Sequence, residues 1–88
     1  MGYKLLIVAT KDEPLVLTDG SKVEEYSATF DDQGVLAEFL LSGIKLRARN
    51  SGAFTRALKK AAICALDDVD FYEVEDEHTN WSIIYWRI

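Results

Sequence analysis

"IKLRARN" (residues 44–50) is the stretch on which the fold turns. Read with period two, Ile44, Leu46 and Ala48 fall on one side of a strand and Lys45, Arg47 and Arg49 on the other. Read as the continuation of a preceding helix, the same cations spread over about half the cylinder. Gly43 would then sit inside the helix, at a cost of about 1 kcal/mol relative to Ala. The alternation favours the strand. With it, the element order is β-β-β-α-β-α-β-β; without it, β-β-β-α-α-β-β. Both orders are α+β, with two helices packed on a mostly antiparallel sheet of four to five strands, in one domain spanning residues 1–88.

The flanks of this stretch are helical. Upstream, "DDQGVLAEFLLSG" (31–43) offers Asp31 or Asp32 as an N-cap, and Gly43 is a natural stop. Val35, Leu36, Phe39 and Leu40 share one face of that helix. Downstream, "SGAFTRALKKAAICALDD" (51–68) is the clearest helix, with Ser51 as its cap. Phe54, Leu58, Ala61, Ala62 and Ala65 form its apolar stripe, and the alanines permit close approach to a sheet.

The strands lie outside the helices. "YKLLIVAT" (3–10) is a short apolar run, expected to be buried on both faces. "LVLT" and "SKVEEYSATF" flank Asp19-Gly20, a hairpin signal whose two turn positions take positive φ. Pro14 makes the 15–18 arm short or places it at a sheet edge. "VDFYEVE" and "NWSIIYWRI" close the chain as a hairpin around "DEHTN". Residues 81–88 are apolar on both sides, which marks a central strand with helices on at least one face.

Charge is distributed unevenly. Six of the ten cations and none of the fifteen acids lie between Phe39 and Leu66, so the middle carries +6 and the remainder −11, for a net −5. The basic set is Lys45, Arg47, Arg49, Arg56, Lys59 and Lys60. The densest acidic set is Asp67, Asp68, Asp70, Glu73, Glu75, Asp76 and Glu77. Either the two sets meet in space as surface ion pairs, or they form single-sign faces that attract partners.

Chemistry is sparse. "DDVD" (67–70) fails as a calcium loop because the sixth position, counted from Asp68, is Glu73 rather than Gly. It reads instead as a helix end passing into a strand. His78 is the single histidine, and Cys64, the single cysteine, reads as a small core residue. There is no nucleophile elbow, phosphate-binding loop or dinucleotide fingerprint. No catalytic residue, metal or cofactor is expected. No apolar run near the N-terminus exceeds Leu5 to Ala9, no secretory signal is visible, and "MGYKLL" lacks the Ser or Thr of a myristoylation site. A soluble cytoplasmic protein is expected.

What remains is surface. Period two sends Trp81 and Trp86 to opposite faces of one strand, so one indole meets solvent or a partner unless both faces are covered. Short, acidic, poor in cysteine and without catalytic motifs, the chain resembles in general character the small phage- or mobile-element-encoded inhibitors, a mixed group that includes the anti-CRISPR proteins. That resemblance implies docking on a host complex, often one that holds nucleic acid. The expected function is therefore a non-enzymatic protein-interaction module with a partner of complementary charge, monomeric or a weak homodimer and without membrane contact. The alternative is a nucleic-acid-binding module using the basic tract 45–60.

Overall fold

The structure of the protein is a computed structural model that describes residues 2–48, 51–78 and 80–88. Its frame is a four-stranded antiparallel sheet of β1 (Tyr3–Ala9), β4 (Glu25–Phe30), β6 (Phe71–Glu75) and β7 (Trp81–Arg87), in the spatial order β4-β1-β7-β6. The first and last strands of the chain are thus the central pair, in register from Tyr3↔Arg87 to Ala9↔Trp81. Between β4 and β6 the chain makes two helices, α1 (Gln33–Glu38) and α2 (Ser51–Leu66), which lie on one face of the sheet. The fold is α+β. No helix among the described residues is long and apolar enough to cross a membrane.

A second, three-stranded antiparallel sheet has the order β3-β2-β5, with β2 at Leu15–Leu17, β3 at Lys22–Val23 and β5 at Leu46–Arg47. The strand reading of 44–50 therefore holds for Leu46–Arg47. It pairs with β2 (Val16↔Arg47, Leu17↔Leu46) and not with the main sheet. Arg49 and Asn50 lie outside the described residues. β2 and β3 form the hairpin around Asp19-Gly20, but only Gly20 has positive φ (88°). Its N–H donates to the Leu17 carbonyl (3.0 Å) and the Leu17 N–H to the Ser21 carbonyl (2.8 Å). This is a three-residue loop with glycine at the left-handed position, rather than the two-residue turn expected. "SKVEEYSATF" divides at Glu24, where the chain leaves the small sheet and joins the large one.

Both helices begin or end differently from a uniform helical reading. Asp32 caps α1, its Oδ1 accepting the Val35 N–H at 2.9 Å. After Glu38 the chain widens into a π-helical turn (Phe39–Gly43), closed by the Ile44 N–H on the Phe39 carbonyl at 2.9 Å. Leu36 and Ala37 of α1 and Leu40 of the π-helical turn are buried; Val35 is exposed, and Phe39 stacks on Tyr26 and meets Phe30 of β4 at a tilt. Ser51 is the first residue of α2. The helix ends with Asp68 in the left-handed region (φ 62°), its N–H on the Ala65 carbonyl (3.2 Å) and the Val69 N–H on the Cys64 carbonyl (3.0 Å). This is a Schellman closure in which Asp stands where Gly is usual. "DDVD" is thus the helix-to-strand passage.

The core lies between the helices and the odd-numbered side chains of β1 and β7. Tyr3, Leu5, Ile7, Ile83 and Tyr85 meet Leu36, Leu40, Phe54, Leu58 and the α2 alanines. Ala61, Ala62 and Ala65 are fully buried, which lets α2 sit close against the sheet. The small sheet adds Leu15 and Val23 to this same core. Cys64 is a half-buried free thiol. The expectation that residues 3–10 are buried on both faces is not met, because all the covering elements sit on one side.

Candidate protein-docking face

Strand alternation sends Lys4, Leu6 and Val8 of β1 and Ser82, Ile84 and Trp86 of β7 to the side away from the helices. The ladder registers align these residues into rows across all four strands. Glu25, Val8, Ser82 and Glu75 form one row; Ser27, Leu6, Ile84 and Glu73 the next; Thr29, Lys4, Trp86 and Phe71 the third. The two central columns are mainly apolar. Three of the border positions are carboxylates, and Lys4 is the single cation of the grid.

This is an unusual outer face for an antiparallel sheet, whose solvent side ordinarily alternates to polar residues. Phe71 is 56% exposed, Val8 38% and Ile88, which continues the β7 parity, 56%. Leu6, Ile84 and Trp86 are shielded in part by their cross-strand neighbours and are half-buried. Among the described residues, no helix and no strand of the small sheet packs on them. Large apolar patches left open on a folded domain mark interaction sites.

The predicted site residues fall into several places. Glu73 and Glu75 project from the edge strand onto the border of this face. Glu25, across the sheet on β4, completes the acidic border and was missed by sequence reasoning. Asp70 is engaged at the end of the sheet, where it accepts the Tyr3 hydroxyl at 3.0 Å and lies 3.6 Å from Arg87. Asp68 accepts the Gln33 side-chain amide at 2.9 Å. Asp67 is exposed at the end of α2, and Glu77 is exposed beside His78 at 3.4 Å.

Asp76 is only 4% exposed. Its carboxylate accepts the Asn80 amide at 2.7 Å and its N–H donates to the Trp81 carbonyl, so it builds the β6–β7 turn and is not part of an accessible acidic surface. Trp81 is likewise no anchor for a partner. It is buried, with its ring edge-to-face on Phe54 at 5.1 Å. Trp86, with the opposite parity, is the indole on the open face.

The basic tract lies on the helical side. Arg56 and Lys60 of α2 line a groove of about 450 Å³ together with Ala57, Val74, Trp81 and the residues Glu75, Asp76 and Glu77 at the end of β6. Lys59 is exposed on the same helix. Lys45 and Arg47 sit on the small sheet beside Val16, Leu17 and Thr18. The tract is therefore split between two elements, and two of its three α2 cations line the groove shared with the acidic end of β6.

The titration shifts that are resolved in the core belong to its tyrosines. Burial pushes the Tyr85 hydroxyl up to about 12, and that hydroxyl donates to the Val69 carbonyl at 2.8 Å. Burial also raises Tyr72, and burial together with Asp70 raises Tyr3. These groups brace the inner face and are remote in role from the open one. Compared with known protein families, curated proteins and solved structures, the chain matches none.

Proposed function

We propose that this protein is a non-enzymatic protein-interaction module that docks its open sheet face onto a partner protein. One observation carries the reading: β1 and β7 are apolar on both faces, and the fold covers only one. The partner supplies the second cover. Its surface is apolar at the centre, to receive Trp86, Ile84, Leu6 and Phe71, and carries Lys or Arg toward Glu25, Glu73 and Glu75. Aromatic residues at the middle of such a contact commonly hold most of its energy, while border charges steer and select. A module of this kind acts by occupying a surface, in the manner of the small phage- or mobile-element-encoded inhibitors, anti-CRISPR proteins among them, whose general character it shares. Host complexes that hold nucleic acid offer basic surfaces of the required sign. The basic tract supports direct nucleic-acid binding less well, because it is split between α2 and the small sheet, and Arg56 and Lys60 share their groove with the acidic end of β6.

The test compares variants as bait. Leu6→Thr with Trp86→Thr keeps strand-forming residues but removes the apolar centre. Arg56→Ser with Lys60→Ser alters the helical side. Proteins retained by the unmodified chain from a host lysate should be lost with the first pair, retained with the second, and weakened at high salt. Loss with the second pair alone would transfer the function to the basic tract.

A further inference from the structure

Among the described residues neither edge strand of the four-stranded sheet pairs outward, and only one is protected against pairing with its own copy. In an antiparallel ladder, alternate residues turn their N–H and C=O groups toward the neighbour. The Ala9 N–H donates to the Glu24 carbonyl at 2.8 Å, and the β1–β4 register then keeps Tyr26, Ala28 and Phe30 bonded toward β1. The backbone groups of Glu25, Ser27 and Thr29 point out of the sheet. At the opposite edge, the Asp76 N–H donates to the Trp81 carbonyl and the Arg87 N–H to the Asp70 carbonyl, both at 2.9 Å. There the outward backbone belongs to Phe71, Glu73 and Glu75.

Side chains distinguish the two edges. Two copies of β6 paired antiparallel about Glu73 would set carboxylate against carboxylate, with Glu75 and Asp70 adding to the repulsion. Like charges opposite one another destabilise a strand pair, and charged edges are a common guard against self-pairing. β4 has no such guard at its centre. Paired antiparallel about Ser27, it sets Ser27 against Ser27 of the second copy and Glu25 against Thr29. Those are neutral or hydrogen-bonding neighbours, and the outward N–H and C=O groups of Glu25, Ser27 and Thr29 all find partners. On the inner face, Tyr26 falls beside Ala28 of the second copy, large against small. Beside this strand lies an open groove of about 250 Å³ lined by Phe30, Val35, Phe39, Glu38 and Ser42, and Val35 is 47% exposed.

We infer that the protein forms a two-fold dimer by antiparallel β4–β4 pairing centred on Ser27. The two sheets become one continuous sheet of eight strands. Both open faces then lie on the same side, so the dimer presents two docking grids to one partner assembly and gains avidity without new contacts. The pairing stands on the edge alone and does not depend on the docking reading.

The experiment is sedimentation equilibrium of the full chain over a wide concentration range, with circular dichroism as the check on folding. The unmodified protein should show a monomer–dimer equilibrium. Ser27→Pro removes an N–H that points out of the ladder and that no bond among the described residues uses, so the monomer retains its ladder. Ser27→Lys keeps the N–H but sets two ammonium groups across the two-fold axis, and it serves if proline disturbs the fold. Each should raise the dimer dissociation constant by about a hundredfold or more. Glu73→Pro, the equivalent change at the other edge, should leave it unchanged. A strictly monomeric unmodified protein would overturn the inference, as would a dimer indifferent to Ser27→Lys. So would a dimer dissociated by Leu6→Thr with Trp86→Thr, which would place the second copy on the open face. Loss of partner capture by Leu6→Thr with Trp86→Thr at an unchanged dimer dissociation constant keeps the docking reading separate from this one.

Discussion

Tyr85 shows how one side chain ties the core to pH. It is fully buried on β7, its ring lies 6.1 Å from that of Tyr3, and its hydroxyl reaches the Val69 carbonyl beyond the end of α2. A phenolate in that position would lose its hydration and its role as donor, which is why burial lifts the pKa from 10.0 to about 12. The folded state thus holds the proton more tightly than the unfolded chain. The stabilisation is fully present below pH 10 and declines as pH rises from 10 to about 12. Tyr85→Phe should cost about 1 kcal/mol at neutral pH through the lost hydrogen bond. It should also flatten the alkaline loss, and urea titrations at several pH values in both proteins measure the difference. A variant with an unchanged alkaline slope would mean that Tyr3 and Tyr72, also raised, account for the whole dependence. At this scale the sequence was only partly legible. Parity alone sent Trp81 and Trp86 to opposite faces, but nothing local marks Asp76 as buried while its neighbours Glu75 and Glu77 are exposed. That distinction comes from the turn geometry and from Asn80.

At the scale of the element, β1 and β7 carry the argument. Their double apolarity is plain in "YKLLIVA" and "WSIIYWR", and it correctly marks the two central strands. Periodicity does not say what covers the second face, so burial of β1 on both sides was the natural expectation. The same limit hid Glu25: its place on the acidic border depends on β4 lying beside β1, and on β1 lying beside β7, which are long-range registers. The strand at 46–47 was readable from alternation, whereas its membership of the small sheet was set by pairing with β2. Adjacent leucines in β1 give a direct measure of the two faces. Leu5 is fully buried against the helices, and Leu6 lies on the open side. Leu5→Ala should destabilise the domain by about 2–5 kcal/mol, the cost of a core cavity. Leu6→Thr, with its β-branched side chain retained in a strand, should cost no more than about 1 kcal/mol. Denaturant midpoints for the two variants check this. Equal losses would mean that both faces are covered in the isolated protein.

For the whole molecule, the question is why an exposed aromatic sheet face should select proteins over nucleic acid. Trp86 and Phe71 are neighbours in register, and stacking platforms for single-stranded nucleic acid are built from such pairs on open sheets. What this face lacks is cationic surroundings. Glu25, Glu73 and Glu75 border it, Lys4 alone opposes them, and the net charge of −5 adds repulsion at longer range. The described residues of the basic tract lie on α2 and the small sheet, and Arg87, next to Trp86 in β7, is turned to Asp70. On the proposed docking reading the acidic border is the selective element, and reversing it should change the class of ligand. Glu25→Lys, Glu73→Lys and Glu75→Lys together alter three exposed side chains and move the net charge from −5 to +1, each reversal adding two. The fold should persist, since none of the three holds another residue in place as Asp70 and Asp76 do. Fluorescence anisotropy at low salt should detect negligible oligonucleotide binding by the unmodified protein and clear binding by the triple variant. That binding should fall steeply with added salt and disappear when Trp86→Thr is added. If the triple variant stays inert, charge is not what keeps nucleic acid off this face. Tight binding by the unmodified protein, abolished by Lys45→Ser with Arg47→Ser, would instead make the basic tract the working surface.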